Sequence, residues 1–359
     1  MKAGIPFCSG QEDLTGSNID IPKIILPLGI SFFTFTQIAY LADCHKGIVK
    51  ERNPVHYLLF ITYFPHLIAG PVLHHKQMMP QFAQPQTYRI HQENIAVGFT
   101  IFAIGMFKKV ILADSLSGYA NPVFAVSKYT GSLSTEEAWL GSLAYTLQLY
   151  FDFSGYSDMA IGLSRLFGIK LPLNFDSPYK STSIIDFWRR WHMTLSQFLS
   201  QYLYIAALGG NRLGKTRRYL NLMITMLLGG LWHGAGWTYV IWGGLHGICL
   251  VTNHLFREFF PPDNSNPAGW TPRLRQMTGW LFTMSAVIAG LVFFRSASLH
   301  DAMVILQAMA GITQDNALPV VEMIEHADDG WEWVCMTSLI VLFAPNTQEI
   351  MARFEPAWD

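Results

Sequence analysis

Long apolar segments, each close to the length of one membrane helix, alternate with short polar connections along most of the chain. A helix needs about 20 mostly apolar residues to cross the hydrocarbon core of a bilayer. Counted against that length, the pattern predicts about seven to nine membrane-embedded helices, several of them too short to cross alone. The candidate spans are residues 21–42, 55–70, 94–113, 138–153, 155–169, 220–256, 279–294 and 333–344.

The segment 220–256 is too long for one straight span and carries no charged residue. As a continuous helix it would be about 55 Å long. A cluster of glycines offers a bend, and bent backbone at membrane depth is tolerated only beside protein or a water-filled cavity. We therefore expect His233, which lies inside this bend, to be deep and next to a cavity. The glycines are Gly229, Gly230, Gly234 and Gly236.

The composition supports this membrane interpretation. Hydrophobic residues make up 51% and charged residues 14% of the chain, whereas a soluble domain carries about 25% charged residues. The net charge of −1 gives no reason to expect a nucleic-acid partner. The sequence predicts an all-α, multi-pass transmembrane helical bundle with re-entrant or interfacial helices. Residues 1–20 form a polar N-terminal segment without a secretory signal, and residues 21–359 form a single membrane domain.

Basic residues concentrate between positions 165 and 218, where only two acidic residues oppose them. Because cytoplasmic segments carry the lysine and arginine excess, we place this stretch on the cytoplasmic side. It contains FWRRWHMTLSQFLSQYLYIAALGG, whose mixture of tryptophan, arginine and apolar residues is typical of a helix that lies in the interface and dips inward.

Two histidines are the main candidates for chemistry. Ionisable groups at membrane depth are costly and tend to mark function, which favours His233 as a catalytic residue over a buried imidazole bonded to a carbonyl. His192 in WRRWH is the candidate second group of the same cavity, or alternatively an interfacial histidine of an aromatic belt. His246 lies thirteen residues after His233. On a continuous helix that is about 220° of rotation, so this pair would not share a face.

Other polar residues are weaker candidates. Asp152 and Asp158 flank Gly155, where we expect a helix break; they either hold that break together or contact a proton or substrate. His74 and His75 follow the end of a span and are expected to be surface groups. No metal site is expected, because two adjacent histidines alone do not make one. The four cysteines are scattered without a CxxC pair.

Several motifs resemble the membrane-bound O-acyltransferase family. The resemblance covers about residues 24–295, and PNTQEIM near the end also fits. Its most specific part is FDSPYKS…DFWRRWHMTLS, followed about forty residues later by GGLWHG. Within the family the chain most resembles the bacterial alginate O-acetyltransferase membrane subunits, and more distantly the D-alanine transfer proteins of teichoic acid synthesis. Other matching motifs are PLGISFFTFTQIAYLAD, YFPHLIAGPVLHHKQMMPQF, GMFKKVILADSL and LQLYFDFSGYSDMAIGLSRLFG.

The resemblance implies a function and a catalytic core over about residues 184–256, and it places residues in that core. The invariant catalytic histidine falls on His233, the second catalytic-site histidine on His192, and another recurrent family histidine on His246. The implied enzyme takes an acetyl group from a cytosolic thioester, acetyl-CoA or an acyl carrier, and binds no resident cofactor. It would pass the group across the bacterial inner membrane to a periplasmic acetyltransferase partner, which modifies an exopolysaccharide such as alginate.

For such a transfer we expect His233 to act as general base, since an imidazole pKa near 6.5 suits proton transfer at neutral pH. Arg189, Arg190 and Arg212 are candidates to hold the phosphates of acyl-CoA, although positive-inside topology explains them equally well. Two alternatives stay open. One is a proton-coupled transporter with His233, Asp152 and Asp158 as a relay, and the other is a non-catalytic scaffold subunit.

Family members usually carry further spans before PLGISF, so the chain is expected to be N-terminally short, with an abbreviated C-terminal part.

Overall fold

A computed structural model describes residues 29–51, 53–67, 70–125, 133–212, 214–261, 270–312 and 327–352. Within these ranges all regular structure is helical, as predicted. The π-helical segments Lys108–Ala113 and Leu199–Ala207 continue α4 and α8. The α-helices are α1 (Ile30–His45), α2 (Pro54–Thr62), α3 (His75–Phe82), α4 (Gln92–Phe107), α5 (Asp114–Phe124), α6 (Thr135–Leu166), α7 (Ile184–Arg190), α8 (Met193–Phe198), α9 (Lys215–His233), α10 (Trp237–Phe259), α11 (Trp270–Arg295), α12 (Leu299–Met309), α13 (Ala327–Phe343) and α14 (Thr347–Met351).

Helix α6 is the central element and packs against α4, α5, α11, α12 and α13. It begins with a capping box, in which Ser134 and Glu137 each accept a hydrogen bond from the other's backbone N–H. The predicted break at Gly155 is wrong, because α6 runs unbroken through it. Gly155 instead lets α4 approach: a Cβ there would lie 2.7 Å from the carbonyl oxygen of Gly105. Small residues at such crossings let two helix backbones touch.

The long apolar segment folds into two antiparallel helices, which confirms the predicted bend. Helix α9 ends at His233, and α10 begins at Trp237 after Gly234–Gly236. The bend is sharper and shorter than the glycine pattern suggests, since Gly229 and Gly230 stay helical and buried. Gly230 contacts the backbone oxygen of Tyr239 so closely that a Cβ there would clash. The break therefore places His233 at the tip of a tight helical hairpin.

Two helical stretches within the described residues are long and apolar enough to cross a bilayer, Gln92–Phe124 and Arg273–Arg295. Large apolar side chains are exposed on both and on α13, including Phe99, Phe282 and Phe343. Exposed apolar surface of this extent is typical of contact with lipid or protein. The predicted span 55–70 is interrupted, since α2 ends at Thr62 and Pro65 lies in a short 3₁₀ turn. Part of the predicted span 21–42 lies outside the described residues.

Candidate active site around two histidines

His192 lies at the break between α7 and α8, in a backbone conformation that is rare for a residue with a side chain. Its φ is 42° and its ψ is 54°, in the left-handed region. Only a few per cent of non-glycine residues have positive φ, and such strain is concentrated at functional sites. The segment predicted to lie in the interface is therefore two helices with a strained corner, and not the single helix that its composition suggested.

Asn174 holds the imidazole of His192 in place. Its Oδ1 lies 3.0 Å from Nδ1 of His192 and 2.9 Å from Oγ1 of Thr194, which donates to it. Its Nδ2 donates to Oγ of Ser157 at 3.2 Å. Because an amide oxygen only accepts, the proton of neutral His192 sits on Nδ1 and the lone pair on Nε2. Among the described residues, the buried Nε2 has no hydrogen-bond partner.

His233 projects from the end of α9 into an aromatic wall. Its ring lies edge-on to Trp242, with centroids 5.2 Å apart, and to Phe294 at 4.9 Å. Gly234, Ala235 and Gly236, which follow it, are partly or fully exposed, and His233 as a residue is half-buried. His233 is therefore accessible from outside the packed interior, as a reacting group must be.

The structure brings His192 and His233 into one neighbourhood. Aromatic rings connect them, since Phe32 stacks on His192 at 6.2 Å and meets Trp232 at 5.8 Å. Trp232 in turn lies 4.6 Å from His233. The two imidazoles therefore share an apolar lining made by Phe32 and Trp232.

His246 lies behind this site. It is 2% exposed and packs against Phe187, Trp188 and Trp242. Trp242 separates it from His233, because its indole is edge-on to both imidazoles. Because the helix is broken between His233 and His246, the rotation expected on a continuous helix does not apply. The indole of Trp242 nevertheless keeps the two imidazoles apart. His246 therefore packs behind the site and supports the position of Trp242.

Asp152 and Asp158 pair with lysines. Lys108 Nζ lies 2.7 Å from Asp158, which also accepts from Oγ1 of Thr347 at 2.6 Å. Lys109 Nζ lies 2.7 Å from Asp152. These contacts tie α6 to the π-helical segment and to α14, within the PNTQEIM motif. These contacts agree with the interpretation that the two carboxylates hold helices together, and not with a contact to a proton or substrate.

The three candidate arginines differ in their surroundings. Arg190 is engaged by Asp186, 3.0 Å from its Nε, and by Asp176 at 3.7 Å. Arg189 and Arg212 are exposed. Arg190 therefore already has carboxylate partners, which leaves Arg189 and Arg212 as the freer cations for a phosphate.

A cavity of about 170 Å³ opens beside this region, lined by residues of α1, α3, α8 and the segments next to them. Thr194 lines it and links it to Asn174. His233 is not among its lining residues. His74 also lines it, while His75 is 4% exposed and bonded to Asp43. The expectation that His74 and His75 are surface groups is therefore wrong for His75, because the loop before α3 folds inward.

Sequence reasoning missed Asn174 and Trp242. Neither has a spacing signal: Asn174 lies in a non-helical stretch between α6 and α7, and Trp242 is one of several tryptophans on an apolar helix. Their importance comes from contacts between segments that are distant in the chain.

The sequence profile of the membrane-bound O-acyltransferase family matches residues 30–296, and the chain belongs to this family. It is 45% identical over 325 residues to a peptidoglycan O-acetyltransferase of Helicobacter pylori, covering 82% of this chain and 59% of that protein. It is 46% identical over 283 residues to a probable alginate O-acetylase of Pseudomonas putida, covering 79% and 55%. A teichoic acid D-alanyltransferase of Bacillus subtilis is 28% identical over 292 residues, covering 77% and 71%.

The family resemblance found in the motifs is thereby confirmed. The chain spans between half and two thirds of the length of the first two relatives.

Proposed function

We propose that this protein is a membrane O-acyltransferase that takes an acetyl group from a cytosolic thioester, with acetyl-CoA or an acyl carrier as donor, for O-acetylation of an extracellular polysaccharide such as alginate. The observation that carries this proposal is the shared site of His192 and His233 in a chain of the O-acyltransferase family. The named relatives act on different polymers, peptidoglycan, alginate and teichoic acid. We take an acetylated exopolysaccharide as the acceptor class because the alginate relatives are numerous.

The chemistry is the transfer of an acyl group from sulfur to oxygen. A base removes the proton of the acceptor hydroxyl while its oxygen attacks the thioester carbonyl. The C–S bond then breaks, and the thiolate leaves and takes up a proton. A positioned imidazole accelerates such a step by about 10²–10⁴-fold.

We assign the base to His233 and a positioning role to His192. His233 is the more accessible of the two rings, at the tip of the α9–α10 hairpin. The Nε2 lone pair of His192 accepts a hydrogen bond from a substrate N–H or O–H, and Asn174 keeps that lone pair available. A neutral imidazole buried among aromatic rings is a fixed acceptor that needs no reorganisation during the reaction. His246 supports the wall of the site through Trp242.

We infer the orientation of the protein in the membrane from the distribution of its basic residues. With residues 165–218 on the cytoplasmic side, the exposed Arg189 and Arg212 face the compartment in which the thioester is made. A site between the two sides of a bacterial inner membrane lets the acetyl group cross without its carrier. A periplasmic acetyltransferase partner would then deliver it to the polymer.

The test is release of CoA from acetyl-CoA in membranes that contain the protein, compared with His233→Ala. We expect release to fall by at least about 100-fold in the variant, the lower range for loss of a general base. His300→Ala, which removes an exposed histidine of α12, is the matched control and should behave like the wild type. The assay is run with and without the acceptor system, because turnover can require it.

The same experiment separates the alternatives. A proton-coupled transporter predicts no thioester cleavage in any variant. A scaffold subunit predicts cleavage that depends on a partner and is unchanged by His233→Ala. Either result, obtained with the acceptor system present, contradicts the proposal.

A further inference from the structure

A second cluster of histidines lies at the junction of α1, α3 and the π-helical segment after α8. Nε2 of His75 is 2.9 Å from Oδ2 of Asp43, and Nε2 of His74 is 3.5 Å from the same oxygen. One donor atom from each of the three side chains lies within 4.8 Å of the others. The Tyr202 hydroxyl is 2.7 Å from Nε2 of His74. None of these residues has a part in the proposed acyl transfer.

The donor set suits a borderline divalent ion. Two imidazole nitrogens and one carboxylate oxygen form a ligand set that zinc uses in proteins, with bonds of about 2.0–2.2 Å. In a tetrahedral site with such bonds, neighbouring donor atoms lie about 3.3 Å apart. The two distances to Asp43 fall on either side of that value, and all three donor atoms lie within 4.8 Å of one another.

Burial and access also fit a bound ion. The side chains of Asp43 and His75 are each 5% exposed, which shields the donors, whereas His74 is 20% exposed. The cavity of about 170 Å³ reaches His74 and Tyr202, so an ion has a route to the cluster and room for a fourth ligand.

Two existing contacts compete with an ion. The backbone N–H of Lys76 donates to Nδ1 of His74 at 3.2 Å, and a ring that binds metal through Nε2 carries its proton on Nδ1. Zinc binding therefore replaces this long helix-capping bond. The ammonium of Lys76 is 3.6 Å from Oδ2 of Asp43, but this side chain is 54% exposed and free to swing away.

We propose that Asp43, His74 and His75 bind one zinc ion, with the Tyr202 hydroxyl or a water molecule in the fourth position. The ion fastens the end of α1 to the start of α3. The segment directly before α3 is linked to the acyl-transfer site, because the N–H of Val72 donates to Oγ1 of Thr194 at 2.9 Å. The ion therefore has a structural role, since it fixes the segment before α3, and with it Val72, next to Thr194.

The test measures zinc directly and does not depend on acyl transfer. The full chain is purified in detergent without a histidine tag, stripped with a chelator, and titrated with zinc against a fluorescent zinc indicator. Bound metal is also counted by mass spectrometry. We expect one zinc per chain, with affinity reduced in His75→Ala and Asp43→Asn by more than the 10- to 100-fold typical of losing an outer-shell partner. His300→Ala controls for adventitious binding and should keep full affinity.

Lys76→Met separates a metal site from a simple ion-pair network. Removing the competing ammonium should leave zinc affinity unchanged or raise it, although it removes a cation from Asp43. Cobalt in place of zinc should give the strong visible absorption of a four-coordinate site in Lys76→Met and not in Asp43→Asn. Absence of stoichiometric zinc in the wild type, equal binding by Asp43→Asn, or weaker binding by Lys76→Met would each overturn the proposal. The last comparison remains decisive where His75→Ala does not fold.

Discussion

Replacement of Asn174 by alanine is the most direct test of how the candidate site is organised. The Oδ1 of Asn174 accepts hydrogen bonds from Nδ1 of His192 at 3.0 Å and from Oγ1 of Thr194 at 2.9 Å. Alanine removes this acceptor without touching either histidine. The proton of His192 is then free to move to Nε2. A protonated Nε2 has no lone pair left to accept the hydrogen bond from the substrate that the mechanism requires.

The size of the effect follows from these contacts. Loss of a partner that orients a working imidazole costs about 10- to 100-fold, equivalent to about 1.4–2.7 kcal/mol of activation free energy. Separately, the buried donors of His192 and Thr194 lose their acceptor, which lowers the free energy of unfolding by about 1–3 kcal/mol for each group. Activity therefore has to be expressed per amount of folded protein.

The assay is CoA release from acetyl-CoA in membranes with the acceptor system present, with folded protein quantified by size-exclusion chromatography in detergent. Ser157→Ala is the matched control, because it removes the 3.2 Å bond from Nδ2 of Asn174 and leaves the bond to His192 intact. We expect Asn174→Ala to lose 10- to 100-fold activity and Ser157→Ala to keep most of it. Wild-type CoA release by folded Asn174→Ala would refute a role for this amide in fixing His192.

Two further predictions concern stability, each measured as the midpoint of unfolding in detergent. Gly155→Ala should destabilise by about 1–3 kcal/mol through overpacking against α4, whereas Gly118→Ala meets no neighbouring atom and should be neutral or stabilising; equal effects would contradict the close crossing. Asp158→Asn should cost roughly 3 kcal/mol, because the largely shielded ammonium of Lys108 loses its carboxylate and keeps only neutral partners such as the hydroxyl of Thr347. The more exposed Asp152→Asn should cost under about 1 kcal/mol; the reverse order would contradict the assigned network.

The elements that the sequence predicts well are those with a local cause. The segment 220–256 is too long for one span and has glycines at its middle, so a bend near His233 was predictable, and it lies at Gly234–Gly236. All-helical structure followed from the long apolar runs. The family motifs named His192 and His233 as candidates for one site, and in the structure Phe32 and Trp232 lie between their rings.

The failures have a common physical reason, which is that one residue type serves several purposes. Glycine weakens a helix and also permits two helices to touch, and sequence alone does not distinguish these uses. Gly155 serves the second use, so the predicted break is absent. The inward fold of His75 depends on Asp43, which lies 32 residues earlier in the chain. The anchoring of His192 by Asn174 is likewise a contact between separate segments.

The backbone conformation of His192 and the environment of its ring help to distinguish a catalytic protein from a non-catalytic scaffold subunit. Left-handed backbone geometry at a non-glycine residue costs about 1–3 kcal/mol, and it is maintained by the N–H of Met193, which donates to the carbonyl of Asn174 at 2.9 Å. A buried nitrogen without a partner adds a second cost, and Nε2 is such an atom among the described residues. His246, which supports the wall of the site, also has a buried ring nitrogen without a partner among the described residues, but its backbone is ordinary helix, so only His192 combines the two costs there. That both persist at one residue, next to His233, favours an imidazole held ready for a substrate.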